Sequence, residues 1–286
     1  MRIRCRWGGF ARSVISADIG KLERESTMKI ITLNCNGIRS AAKKGFYDWM
    51  KNQRADVLCL QETKAQEHQL GDDVFNPRGY HRFLHDAEKP GYSGVGVYSK
   101  HKPKRVIYGI GDELIDREGR YLEVCYDNLS VVSLYMPSGS SGDIRQEFKI
   151  RMMGIMLPHL LKLKKRKRQY IICGDWNIAH TNADIRNWRG NQKNSGFLPE
   201  EREWLTELFD KYGYVDAFRT QPQKEHEYTW WSNRGQAWAN NTGWRIDYQI
   251  TTPGLRKAVK KTSVYRDNRF SDHAPLSINY DFDLKV

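Results

Sequence analysis

Apolar positions along this chain fall into short runs broken by glycine, asparagine and charged turns, a pattern that predicts strands. Lys29 to Leu33, Asp56 to Leu60, Gly94 to Tyr98, Tyr121 to Tyr126 and Val131 to Tyr135 each read this way. Tyr170 to Cys173 is uniformly apolar, bounded by the basic segment Lys162 to Arg168 and by Gly174. That predicts a strand buried on both faces, with a sharp turn at the glycine. Tyr228 to Trp231, Trp244 to Ile250, Lys261 to Tyr265 and Pro275 to Tyr280 complete the set. Helical spacing runs from Ile144 to Lys165, with a kink expected at Pro158. Gly45 to Met50 reads as part of a helix, and Pro199 to Tyr212 as another, opened by a proline and an acidic first turn. There is no internal repeat. Strands outnumber helices and do not strictly alternate with them. The expected class is therefore α+β: a four-layered α/β sandwich of two mixed sheets packed face to face, with helices outside.

Composition sharpens this picture in two places. The formal charge of +13 and pI near 9.5 favour a polyanionic partner, nucleic acid above all. The cysteines at 5, 35, 59, 125 and 173 are odd in number and sit mostly inside strand-like runs, as small buried hydrophobes of a reducing compartment do. No apolar run reaches membrane-spanning length, so no membrane partner is expected. Residues 1–27 differ from the rest: Arg2, Arg4, Arg6 and Arg12 all precede the first acid, Asp18. An organellar transit peptide has that composition. We favour an extension read from an upstream start codon, because Met28 directly precedes the first convincing strand. The catalytic domain is then residues 28–286.

Chemistry gathers at the strand ends. Asn34 and Asn36, Glu62, Tyr135, Asp175 and Asn177, Asp247, and Asp272 with His273 each close or follow an apolar run. Singly, each has an ordinary explanation: Gly-Asp-x-Asn is an Asx turn, Glu62 a solvated strand end, Tyr135 a half-buried aromatic. Together they point to one site on a sheet rim, where a carboxylate accepts a proton from water and an amide holds that water or a phosphate oxygen.

The segments Leu-Asn-Cys-Asn-Gly-Ile-Arg (33–39), Leu-Gln-Glu-Thr-Lys (60–64), Gly-Tyr-Ser-Gly-Val (91–95), Tyr-Met-Pro (135–137) and Gly-Asp-Trp-Asn (174–177) carry a resemblance. So do Asn-Ser-Gly-Phe-Leu-Pro-Glu-Glu-Arg (194–202), Gly-Trp-Arg-Ile-Asp-Tyr (243–248) and Ser-Asp-His-Ala-Pro (271–275). In this order they resemble the exonuclease III family of abasic-site endonucleases, within the DNase I-like superfamily. The likeness spans essentially all of 28–286 and none of 1–27. It implies a DNA-repair phosphodiesterase cutting 5′ to abasic sites, with 3′ phosphodiesterase or 3′→5′ exonuclease activity. The implied partner is double-stranded DNA with abasic sites or blocked 3′ ends, met by a monomer. The location is cytoplasmic and nucleoid-associated in a prokaryotic source, or organellar if residues 1–27 are a targeting signal.

Chemistry and resemblance assign the same roles. Glu62 is the principal Mg²⁺ ligand, with Asn34, Asn36 and Asp272 close by, directly or through water; Mn²⁺ is expected to substitute. Asp175, oriented by Asn177, activates water. His273, paired with Asp247, holds the scissile phosphate, and Tyr135 contacts the phosphate or assists the leaving oxygen. By resemblance, Asn191 and Asn194 grip backbone phosphates, and Trp230, Trp244 and Ile246 form an apolar pocket for a flipped, baseless sugar. Trp231, Trp238 and Trp244 interleave with Asn233, Arg234, Asn240 and Arg245, the mixture of a nucleic-acid face. After Tyr135-Met-Pro the chain has Ser138-Gly-Ser-Ser141, without the asparagine or groove-inserting arginine of some relatives. Two other readings stand beside this one: a superfamily phosphoesterase acting on phosphoinositide or sphingomyelin, and a catalytically silent DNA-binding relative. The basic charge weighs against the first. The second requires losses among Glu62, Asp175, Asn177, Asp247, Asp272 and His273, all of which are present.

Overall fold

A computed structural model describes residues 27–286, so the expected extension before Thr27 lies outside the described residues. Numbered in chain order, the strands begin with β1 (Thr27–Asn34), β2 (Val57–Gln61), β3 (His81–His85) and β4 (Val95–Ser99). Then come β5 (Arg105–Tyr108), β6 (Tyr121–Cys125), β7 (Leu129–Tyr135) and β8 (Gln169–Asp175). The rest are β9 (Val215–Asp216), β10 (Trp230–Trp231), β11 (Gly243–Trp244), β12 (Asp247–Thr251), β13 (Val259–Val264) and β14 (Leu276–Asp281). The helices are α1 (Ile38–Lys43), α2 (Phe46–Gln53), α3 (Glu113–Arg117), α4 (Asp143–Lys164), α5 (Trp188–Asn191) and α6 (Pro199–Thr206). One six-stranded sheet has the order β13-β14-β1-β2-β4-β3 and the other β5-β6-β7-β8-β12-β9. Each holds a single parallel pair, β1 with β2 and β7 with β8.

The alternation of each strand builds the four layers. In β8, Ile171 and Cys173 point between the sheets, against Ile30, Val57 and Val97. Tyr170 and Ile172 point outward beneath α4, against Met152, Met156 and Leu160. In β1 the same period puts Ile30 inside and Ile31 and Leu33 under α1 and α2. The sandwich expected from sequence is the one found. α4 runs through Pro158 without a break, and its buried stripe of Met152, Met156, Leu160 and Leu163 closes one outer layer. Truncating one of these, as in Leu160→Ala, costs about 2–5 kcal/mol.

Three expectations change. The strand expected over Trp244 to Ile250 is two short pieces, because Arg245 and Ile246 leave the ladder between β11 and β12. The helix expected to reach Tyr212 ends at Thr206 and continues as a π-helical turn, Glu207–Lys211. β3 and β5 were invisible as apolar runs because both are sheet edges, where one side of the ladder meets solvent and charge is tolerated. Gly174 also serves differently from the expected turn. A Cβ there would collide with the Leu134 carbonyl oxygen, so glycine allows β7 and β8 to approach.

Register then sets the site. Tyr135 lies opposite Asp175 across the parallel pair, and Asp175 opposite Asp247 across the antiparallel one. Asn34, at the end of β1, pairs with Gln61, one residue before Glu62. One rim therefore collects the ends of both sheets.

Candidate active site

A cleft of about 930 Å³ opens on this rim, lined by Glu62, Tyr135, Asp175, Asn177, Asp272 and His273 on its floor. Asn191, Asn194, Trp230, Trp244 and Ile246 line it as well. Asn34, Asn36 and Asp247 stand directly behind these side chains. Every residue expected in the site is thus gathered in one place.

The hydrogen bonds define the floor. Asn34 Nδ2 donates to Glu62 Oε1 at 2.7 Å and to Asp175 Oδ2 at 2.8 Å, so a buried amide clamps the two carboxylates together. Its own Oδ1 accepts from the Asn36 backbone, which makes Asn34 a bridge. Asn36 Nδ2 donates to Asp272 Oδ1 at 2.8 Å, while Lys64 Nζ donates to Asn36 Oδ1 and pairs with Glu62 Oε2 at 2.7 Å. Asp272 Oδ2 accepts from Trp230 Nε1 at 3.2 Å, which ties the carboxylate to the apolar wall.

Asp175 and Asn177 come together through the Asx turn that Gly-Asp-x-Asn suggests on its own. The strand does not continue through the pair, because Asn177 adopts a left-handed conformation with φ 52°. Its backbone N–H donates to Asp175 Oδ1 at 2.9 Å and its Nδ2 to Asp175 Oδ2 at 3.1 Å. The Asx turn is therefore the device that builds the pair. Asn177 Nδ2 also donates to the Met136 carbonyl at 2.8 Å, fixing the amide.

His273 Nδ1 lies 2.9 Å from Asp247 Oδ2, and its Nε2 3.8 Å from Asp175 Oδ2. Burial works against the imidazolium, but Asp247, then Asp175 and Asp272, outweigh it and raise His273 to about 10. Burial likewise lifts Asp175; His273 opposes this, Asp247 and Glu62 add to it, and the carboxyl rises to about 7. Glu62 is pushed up by burial, yet the Lys64 ammonium and the Asn34 amide hold it below the ordinary range. Tyr135 stays protonated far above its usual range, through burial and the Glu62 carboxylate beside its hydroxyl. Beneath it, Arg120 donates to the Tyr135 carbonyl at 3.0 Å and stacks 4.5 Å from the ring centroid.

Ligand atoms of Glu62, Asp175 and His273 lie within 4.8 Å of one another, a group able to hold a metal ion. The donors fit one: carboxylates outnumber the cations beside them, and Asp175 is left with raised proton affinity. Oxygen donors of this kind suit a hard divalent cation. Asp272 lies outside that group, drawn toward Asn36 and Trp230.

The wall is apolar. Trp230 and Trp244 meet edge to face at 6.0 Å and pack with Ile246 on Ala179, Ile185 and Phe197. The break between β11 and β12 lets Trp244 and Ile246 line the cleft while Asp247 reaches His273. Arg245 is turned the other way. It is 1% exposed, pairs with Asp184 Oδ1 at 2.6 Å and Asp216 Oδ2 at 2.7 Å, and so belongs to no nucleic-acid face. Trp231 is also interior, 4.5 Å from Trp238. Asn194 donates to Asn191 Oδ1 at 2.7 Å in the half-open loop after α5. Arg234, expected on a nucleic-acid face, does line the cleft. Lys64 and Arg120 were missed as site residues; Lys64 was readable, standing inside the Gln-Glu-Thr-Lys motif, whereas Arg120 carries no local signal.

A two-sheet sandwich with an acid, histidine and amide cluster on its rim suits phosphoester hydrolysis, and its relatives make it a hydrolytic nuclease. The chain belongs to the Endonuclease/Exonuclease/phosphatase family, which matches residues 31–273. It is 39% identical over 253 residues to an exodeoxyribonuclease of Bacillus subtilis (strain 168), spanning 88% of this chain and 98% of that one. It is 36% identical over 258 residues to the DNA repair nuclease APEX1 of Danio rerio, spanning 89% and 83%. Among solved structures, an AP endonuclease from Archaeoglobus fulgidus superposes with a TM-score of 0.82 at 26% identity, covering 89% of this chain and all of that one. Among the described residues no helix is long and apolar enough to cross a membrane.

Proposed function

We propose that the chain is a Mg²⁺-dependent DNA-repair phosphodiesterase that cuts the backbone 5′ to abasic sites, with 3′ phosphodiesterase or 3′→5′ exonuclease activity, Mn²⁺ substituting for Mg²⁺. The observation that carries this reading is one cleft with the Asp175–Asn177 and Asp247–His273 pairs on its floor and Trp230, Trp244 and Ile246 on its wall. The named relatives act in the same class of chemistry. Residues 28–286 are the catalytic unit, a cytoplasmic monomer bound to the nucleoid in a prokaryotic source. Similarity to the Bacillus subtilis protein favours that location.

In this mechanism Asp175 takes the proton of the attacking water, and Asn177 and Asn34 hold its carboxylate in line. His273, charged and held by Asp247, presents Nε2 to the phosphate and stabilises the charge that develops there. Tyr135, kept protonated, offers its hydroxyl to a phosphate oxygen or the departing oxygen. Glu62, with Asp175 and Asp272 nearby, would hold the Mg²⁺, which polarises the phosphate when bound. Asn191 and Asn194 grip flanking phosphates. The wall admits a sugar without its base, since an intact base is larger and costs more to unstack.

The test is a gel assay on a duplex with one abasic site, with and without Mg²⁺, resolving both ends and any trimming. Expected is a single cut 5′ to the lesion that chelation abolishes. Absence of incision with hydrolysis of phosphoinositide or sphingomyelin would overturn the reading.

A further inference from the structure

Behind the cleft lies a buried ion pair that the chemistry above does not use. Lys149, on α4, and Glu201, on α6, are both fully buried and meet at 2.6 Å. Burying such charges costs free energy that a plain packing contact would not, so their partners matter. Lys149 Nζ also donates to the Asn177 backbone carbonyl at 2.8 Å, the residue held in the left-handed conformation. Glu201 Oε2 accepts the backbone N–H groups of Gly196 at 2.6 Å and Leu198 at 3.1 Å. Glu201 Oε1 accepts from Gln146, on the cleft lining, at 3.0 Å. The Gly196 carbonyl in turn accepts from Ala179, and a Cβ on Gly196 would stand 3.1 Å from both the Asn177 oxygen and the Trp244 ring.

We infer that Lys149 and Glu201 are positioning residues, a buried ion pair locking the water-activating turn and the phosphate-gripping loop into one rigid unit. This rests on the function proposed above. Lys149 fixes the turn that carries Asn177, and through it the orientation of Asp175. Glu201 fixes the loop that carries Asn191 and Asn194. The two ends act on different steps. Loss of the lysine end disturbs the geometry of water activation, where a misplacement of about 1 Å can cost 10²-fold. Loss of the glutamate end disturbs the grip on DNA.

The experiment measures kcat and KM on the abasic duplex, with amide hydrogen exchange at Gly196 and Leu198 in the same full-length variants. Lys149→Met is expected to lower kcat roughly 10²-fold with KM little changed, and Lys149→Arg to recover most of it. Glu201→Gln, which cannot accept at both ends, is expected to raise KM about tenfold, the lower range for loss of a supporting contact, and to speed exchange at both amides. The double variant Lys149→Met with Glu201→Leu removes the buried charges together, so it keeps the fold while losing the lock. It should melt near the wild-type temperature yet show both defects. A folded double variant with wild-type kcat, KM and exchange overturns the inference, as does a set of variants in which kcat and KM change only with the folded fraction. If the wild-type chain itself fails to cut abasic DNA, the proposed function falls, and unchanged exchange at Gly196 and Leu198 in Glu201→Gln would still overturn the lock.

Discussion

Two clusters of acids, buried or half-buried, lie on either side of the Arg245–Asp247 segment, and their charge balance separates them. Asp184 and Asp216 face Arg245 and Arg219, a closed set in which burial would raise Asp184 but Arg245 and Arg219 hold it below the carboxylate range. Among the described residues Glu62, Asp175 and Asp247 form ion pairs only with Lys64 and His273, and there Asp175 is raised to about 7. The first cluster has spent its electrostatics on itself and braces the turn between β11 and β12. The second holds unneutralised charge that a cation, a proton or a substrate can relieve. Burial is common to both; surplus charge marks the reactive one.

The sharpest break in this comparison is Asp175→Asn, close to isosteric, expected to lower turnover roughly 10²–10⁴-fold or more with the melting temperature held or raised. Steady-state rates beside thermal unfolding check it, and near-wild-type turnover would remove Asp175 from the chemistry. The mirror image is Arg245→Met, which strands Asp216, leaves Asp184 with Arg219 alone, and should cost about 3–5 kcal/mol of stability while kcat per folded molecule stays close to normal. A stable Arg245→Met with lost kcat would reverse the assignment of the two clusters. Next in size, Glu62→Ala should weaken the apparent Mg²⁺ affinity at least about 10- to 100-fold without loss of fold or DNA affinity, measured by Mg²⁺ titration of activity and by duplex binding. Partial rescue by excess Mg²⁺ is expected; an unfolded protein would leave the ligand role unsupported.

Trp244→Ala tests the wall that the brace supports. Loss of one aromatic contact of about 1–3 kcal/mol should lower kcat/KM on the abasic duplex roughly 5- to 100-fold and narrow the gap to a normal duplex. Equal falls on both would make Trp244 a packing residue. The smallest effect is one of pH. Because Asp184 is held low in the folded chain, its stabilisation is complete above the unfolded carboxylate value of about 3.9 and fades as pH falls below it. The melting gap between wild type and Asp184→Asn should therefore stay constant from about pH 8 to 5 and shrink below about 4. A gap that closed near neutrality would mean the arginines do not hold Asp184 ionised.

The sandwich and the floor of the site were legible because each floor residue ends an apolar run, and runs have a period the chain displays locally. Asp247 and His273 could be paired from their motifs alone. What stayed hidden is what depends on a partner far along the chain. Arg245 looked like part of a nucleic-acid face because nothing near it names Asp184 or Asp216. Lys149 looked like one more helix lysine because Glu201 comes much later. The left-handed Asn177 is held by Met136 and Lys149 and the break at Arg245–Ile246 by Asp184 and Asp216, distant partners that outweigh local strand preference.

In the first sheet β1 lies between β2 and β14, so the earliest described strand is flanked by the last. Asp272 and His273 directly precede that final strand. The carboxylates of Glu62 and Asp175 therefore lack their histidine until the segment before that strand has been made. A nascent or truncated chain has no complete site. The site of this nuclease is therefore complete only once β14 has docked beside β1, so its first and last described strands close it together.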